Sequence, residues 1–108
     1  MNSSIVIALP KIDDAKKIRT ILNRHGFSVA AVCSTASTAL ASMSELDGGV
    51  LICGYKLTDR YYRDVLEDIP SYFEMLLLAS ERVIAEAPTS VLTVEMPMKV
   101  SDLVNTVD

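Results

Sequence analysis

Ile5-Val6-Ile7-Ala8-Leu9-Pro10 is apolar at five consecutive positions and then stops at a proline. A β-branched run without polar alternation predicts a strand covered on both faces. Asp13 and Asp14 follow, and acids of this kind open helices at the positive dipole end. Ala15, Ile18, Ile21, Leu22 and His25 share one helical side, while Lys16, Lys17, Thr20, Asn23 and Arg24 fall mostly on the other. Gly26 is a natural stop.

The same alternation continues along the chain. Phe27 to Cys33 reads as a weaker, edge-like strand. Ser34, Thr35 and Ser37 are candidate caps for a helix to about Leu46, with an apolar stripe of Ala36, Leu40 and Met43. Asp47-Gly48-Gly49 reads as a turn, and Val50 to Cys53 as a third, buried strand. A helix is expected from about Asp59 to Ile69, ended by Pro70. Met75 to Leu78 and Val91 to Val94 are further strands around a short helix, Glu81 to Glu86. Val100, Leu103, Val104 and Val107 mark the apolar face of a last helix. Five β-then-α units predict an α/β fold, a doubly wound parallel sheet with helices on both faces.

Composition narrows the functional classes. The chain has 108 residues, enough for one domain spanning 1–108 and one modest core. Its last helix ends abruptly at Asp108, which leads us to expect a piece of a longer protein with a C-terminal output domain. Net charge is -4, so the segment lacks the basic balance that direct nucleic-acid contact needs. The apolar runs are far shorter than a bilayer span, and no leader pattern opens the chain, so a cytoplasmic location without membrane contact is expected. Cys33 and Cys53 sit in apolar runs and read as core thiols.

In open parallel sheets, ligands bind beyond the carboxyl ends of the strands. The residues to weigh there are Leu9-Pro10, Gly54-Tyr55, Ala79-Ser80 and Glu95-Met96-Pro97. The first strand and helix, closed by Gly26-Phe27, resemble the receiver domains of bacterial two-component response regulators. Met96-Pro97-Met98 with Leu103 resembles that family's Lys-Pro-Phe segment and following helix, so the likeness runs along essentially the whole chain. The resemblance implies a flavodoxin-like sheet in the order 2-1-3-4-5. It also implies positions for a phosphoryl-transfer site, and this chain departs from each of them. Leu9 and Pro10 stand where two acids would hold magnesium, and Gly54 where an aspartate would accept the phosphoryl group. Ala79 replaces a hydroxyl residue and Met96 a lysine. Mg²⁺ needs hard oxygen ligands, and phosphoryl transfer needs a nucleophile with charge stabilisation. Those five residues supply neither. Cys53-Gly54-Tyr55-Lys56-Leu57 further resembles a subgroup of degenerate receivers that precede a small helical RNA-binding output called ANTAR, in antitermination regulators.

The remaining polar residues read as structural. Asp13 and Asp14 are expected as helix-start acids, too far from Gly54 for a shared ion to be assumed, and His25 as partly buried or capping. Asp59, Asp64, Glu67 and Asp68 give the third helix an acidic face, and Glu81 and Glu95 a solvated rim. All four tyrosines, Tyr55, Tyr61, Tyr62 and Tyr72, fall within 18 positions. Tyr55, Tyr61, Ser80, Glu95, Met98 and Val100 are the candidate ligand or partner contacts. Glycine-rich phosphate loops, a Ser/His/Asp arrangement and metal-ligand spacings are missing from the sequence, so neither enzyme activity nor a cofactor or metal is expected. The expected function is a phosphorylation-independent regulatory module. It would act by protein contacts or as a homodimer through the fourth helix, fifth strand and last helix, controlling a transcription or antitermination output. The alternative is a small-molecule sensor with its ligand in the vacated pocket above Gly54.

Overall fold

The computed structural model describes residues 4–96 and 100–107. The elements follow in strict alternation: β1 Ser4–Ala8, α1 Ile12–Arg24, β2 Ser28–Cys33, α2 Ala36–Ser44 and β3 Gly49–Gly54. Then come α3 Tyr62–Asp68, β4 Phe73–Ala79, α4 Glu81–Ala85, β5 Leu92–Glu95 and α5 Val100–Val107. The sheet order is β2-β1-β3-β4-β5, and every pairing is parallel. This is the α/β architecture and strand order that the sequence implied.

Strand periodicity splits the core in two, because successive side chains leave a strand on opposite faces. Ile5, Ile7, Ile52, Leu76, Leu78 and Val94 face Ala15, Ile18 and Leu22 of α1 and Leu103 of α5. On the other face Val6, Ala8, Leu51, Cys53, Met75 and Leu77 pack under Ala36, Ala39 and Met43 of α2 and Tyr62 and Val65 of α3. The three central strands are buried on both sides, which explains why their sequences do not alternate. Edge strand β2 is only partly buried until Cys33, in keeping with its weaker hydrophobicity.

Glycine is required at two joints. Gly26, at φ 85°, lets the chain leave α1 in the left-handed region. Gly49, at φ 156°, pairs with Ser4, and a Cβ there would lie 1.8 Å from the Ser4 carbonyl oxygen. The expected turn at 47–49 therefore ends one residue earlier, and Gly49 already belongs to β3.

One helix departs from expectation. α3 begins at Tyr62 rather than near Asp59. The intervening segment folds back on itself: Leu57 N–H donates to the Arg60 carbonyl at 2.7 Å and Tyr62 N–H to the Tyr55 carbonyl at 2.9 Å. Lys56 and Tyr61 form an antiparallel bridge. Asp59 thus leaves the proposed acidic face of α3 and is used elsewhere. His25 takes the C-cap position of α1, where its N–H donates to the Leu22 carbonyl at 3.0 Å. Its side chain is exposed rather than partly buried.

Candidate functional site

The carboxyl edge of the sheet carries a cavity of about 520 Å³ between β1, β3, β4 and α1. Leu9 and Pro10 line one wall, Gly54 and Tyr55 another, and Leu78 and Met96 a third. Helix α1 supplies the remaining side through Asp14, Lys17, Ile18 and Ile21. Their i, i+3, i+4, i+7 spacing is one helical stripe, so a single face of α1 walls the space. Lys56 reaches it from the loop after β3.

The structure therefore brings Leu9, Pro10, Gly54 and Met96 around one space, with Tyr55 beside them. Ala79 is buried next door and lies outside the cavity lining, although its carbonyl accepts from Met96 N–H at 2.8 Å. Ser80 precedes α4, and Glu95 ends β5; both are exposed and outside the lining. Met98 lies outside the described residues, as does the side chain of Val100. Asp14 and Gly54 nonetheless line one space. The first turns of α1 lie over the strand ends, so Asp14 shares the cavity, whereas Asp13 is not part of its lining. The sequence does not single out Lys17, Ile18, Ile21, Lys56 or Leu78 for this space. The α1 stripe is the one signal that could have found most of them.

Most of the lining is hydrocarbon. Leu9, Ile18 and Leu78 are buried, and Met96 is 45% exposed at the mouth. A Cβ added at Gly54 would lie 3.1 Å from Leu9 Cδ2 and 3.5 Å from Pro10 Cδ. Any side chain placed there starts against apolar atoms. Cys53 precedes Gly54 but packs into the opposite core, and burial pushes its thiol up to about 12. It is a protonated core residue and no nucleophile. The receiver resemblance implies Mg²⁺ in this region, and the donor set does not fit it. One carboxylate, Asp14, shares the lining with two ammonium groups, Lys17 and Lys56, and Mg²⁺ wants several oxygen ligands. Among the described residues no group of three His, Cys, Asp or Glu side chains could hold a metal ion.

A second surface adjoins the first through Tyr55. Tyr55 and Tyr61 are 47% and 46% exposed, with rings meeting edge to face at 5.4 Å. With buried Tyr62, Arg63, Val83 and Glu86 they frame a shallow space of about 220 Å³. The Lys56 ammonium lies 5.4 Å above the Tyr61 ring, within cation–π range.

The geometry can be set beside known proteins. No family model matches the chain, and no curated protein matches it. Solved structures do. A chemotaxis response regulator of Vibrio cholerae, CheY4, superposes with a TM-score of 0.82 at 14% identity, over 98% of this chain and 96% of that one. The fold is that of a receiver domain. A CheY-like receiver domain from Methylobacillus flagellatus gives 0.81 at 12% identity over the full length of both chains. The anti-anti-sigma factor PhyR of Bartonella quintana gives 0.80 at 18% identity, over 99% of this chain and 46% of that one. This chain spans about half the length of the PhyR chains of Bartonella quintana and Brucella abortus.

Proposed function

We propose that this receiver-fold chain is a regulatory module that works without aspartyl phosphorylation, through protein contacts. The observation that carries the reading is the hydrocarbon character of the cavity around Gly54. The side chains of Leu9 and Pro10 offer no ligand for a cation, Gly54 no nucleophile, and Met96 no ammonium for a developing phosphoryl charge. The neighbours support a regulatory role by their names, as response regulators and an anti-anti-sigma factor. The exposed Tyr55–Tyr61 pair supplies contact area with little side-chain entropy to lose, so it suits a protein partner. Self-association through α4, β5 and α5 belongs to the same proposal, as does control of a transcription or antitermination output by an attached segment or a partner. The chain would work in the cytoplasm, without direct nucleic-acid contact. Among the described residues no helix is long and apolar enough to cross a membrane.

Beryllofluoride with Mg²⁺ tests the reading, because it mimics an aspartyl phosphate only where an acceptor and a cation site exist. Amide NMR spectra with and without it are expected to superpose. Saturable shifts centred on Gly54, Tyr55 and Met96 would overturn the proposal.

A further inference from the structure

The geometry points to the cavity between α1 and the carboxyl ends of β1, β3 and β4 as a binding site for a small carboxylate with an apolar body. This rests on the reading that the same space does no phosphoryl transfer. Size is the first argument. About 520 Å³ is far more than a bare inorganic anion occupies, and lies in the range of small-molecule sites. Chemistry is the second. Ile18, Ile21, Leu78 and Met96 hold water poorly, so an apolar body gains by displacing it. A phosphate dianion would instead face hydrocarbon where it needs several donors.

Charge decides the polar end. The charged groups in the lining are Lys17, Lys56 and Asp14, two cations against one anion in a chain whose net charge is -4. Both lysines are exposed, and the ion pair among the described residues is Arg60–Asp68, so neither has a carboxylate partner there. Two exposed lysines in a mostly apolar lining, Lys56 with its ammonium also 5.4 Å above the Tyr61 ring, suit one carboxylate whose tail lies against the hydrocarbon. Tyr55 walls both the cavity and the shallow space beside Tyr61 and Arg63. An occupant touching Tyr55 therefore bears on the partner surface proposed above.

The test is an amide NMR titration of the 108-residue chain with octanoate and 4-phenylbutyrate. The neutral counterparts octanol and 4-phenylbutanol form one control, and inorganic phosphate with Mg²⁺ another. The carboxylates are expected to shift Ile18, Gly54, Tyr55 and Leu78 saturably, and phosphate to shift none of them. Replacing both exposed lysines, Lys17→Ala with Lys56→Ala, is expected to weaken the carboxylates about tenfold and leave the alcohols unchanged. The chain has no tryptophan and four tyrosines, so the part of a tyrosine fluorescence change that Tyr55→Phe removes gives a second readout. The assignment is overturned by an absence of saturable shifts with either carboxylate, or by shifts lying elsewhere. It is overturned equally by alcohols binding as tightly with no effect of the lysine changes. Shifts of the same amides with protein concentration alone would overturn it in favour of a second copy as occupant. Failure of the underlying reading looks different: a phosphoryl adduct in the mass spectrum, whatever the carboxylates do.

Discussion

Two places on the same edge of the sheet treat polar groups in opposite ways. Around Gly54 the strand ends open onto hydrocarbon. At the start of α2, one carboxylate is held by three donors. Asp59 accepts from Ala36 N–H at 2.7 Å, and from Ser37 N–H and Ser37 Oγ–H at 3.1 Å each. Thr35 caps the same helix through Thr38 N–H at 3.2 Å, and Thr58 Oγ1 donates to the Ser34 carbonyl at 3.0 Å. The contrast teaches that this edge is not simply poor in acids. It holds an ordered carboxylate that satisfies the free N–H groups of a helix, and that ties the β3–α3 loop to α2.

The largest effect is expected on the apolar side of that contrast. Leu78→Ala removes a buried wall of the cavity and should cost about 3 kcal/mol in urea unfolding, the usual scale for a core leucine. A loss under 1 kcal/mol would mean the wall is already wet. Gly54→Asp introduces a carboxylate against Leu9 and Pro10, and about 1–3 kcal/mol of destabilisation at pH 7 is expected. Desolvation raises the pKa of the new acid above its unfolded value, so its cost grows as pH rises and fades in acid. Unchanged stability at pH 7 would show that Leu9 and Pro10 leave room and solvent for a carboxylate at position 54 itself.

The polar corner should respond less, and with the opposite pH dependence. Asp59→Ala is expected to cost about 1 kcal/mol, the scale of a lost helix cap. The Ala36 N–H, with Ser37, holds the Asp59 carboxyl below the usual carboxylate range. Because that folded pKa is depressed, the stabilisation is present above about pH 4, the unfolded value, and fades as pH falls through the folded one. Wild type and variant should therefore converge in acid, and parallel pH curves would remove Asp59 from the role. Arg60→Ala sets the floor. Its 2.6 Å pair with Asp68 is solvent-exposed and should contribute no more than about 0.5 kcal/mol.

The difference between the two places also explains what could be read from sequence. β1, β3 and β4 declare themselves as unbroken apolar runs because they are buried on both faces, and the strand order followed from the receiver resemblance. Leu9, Pro10, Gly54 and Met96 could be placed at one edge because each follows a strand. The α1 stripe was the one available signal for the rest, but Asp14, Lys17, Ile18 and Ile21 read equally well as the border of a core face, so the stripe alone did not single out the cavity. Asp59 was hidden for another reason. Its partners lie 22 and 23 residues earlier, and local propensity favoured a helix start where tertiary capping took the side chain instead.

Intact-mass measurement after incubation with acetyl phosphate and Mg²⁺ tests the central claim most directly, on the chain and on its Asp13→Asn, Asp14→Asn double variant. Both are predicted to keep their masses. A stoichiometric phosphoryl adduct that hydroxylamine removes would contradict the account, because it would reveal an accepting carboxylate at the carboxyl edge of the sheet.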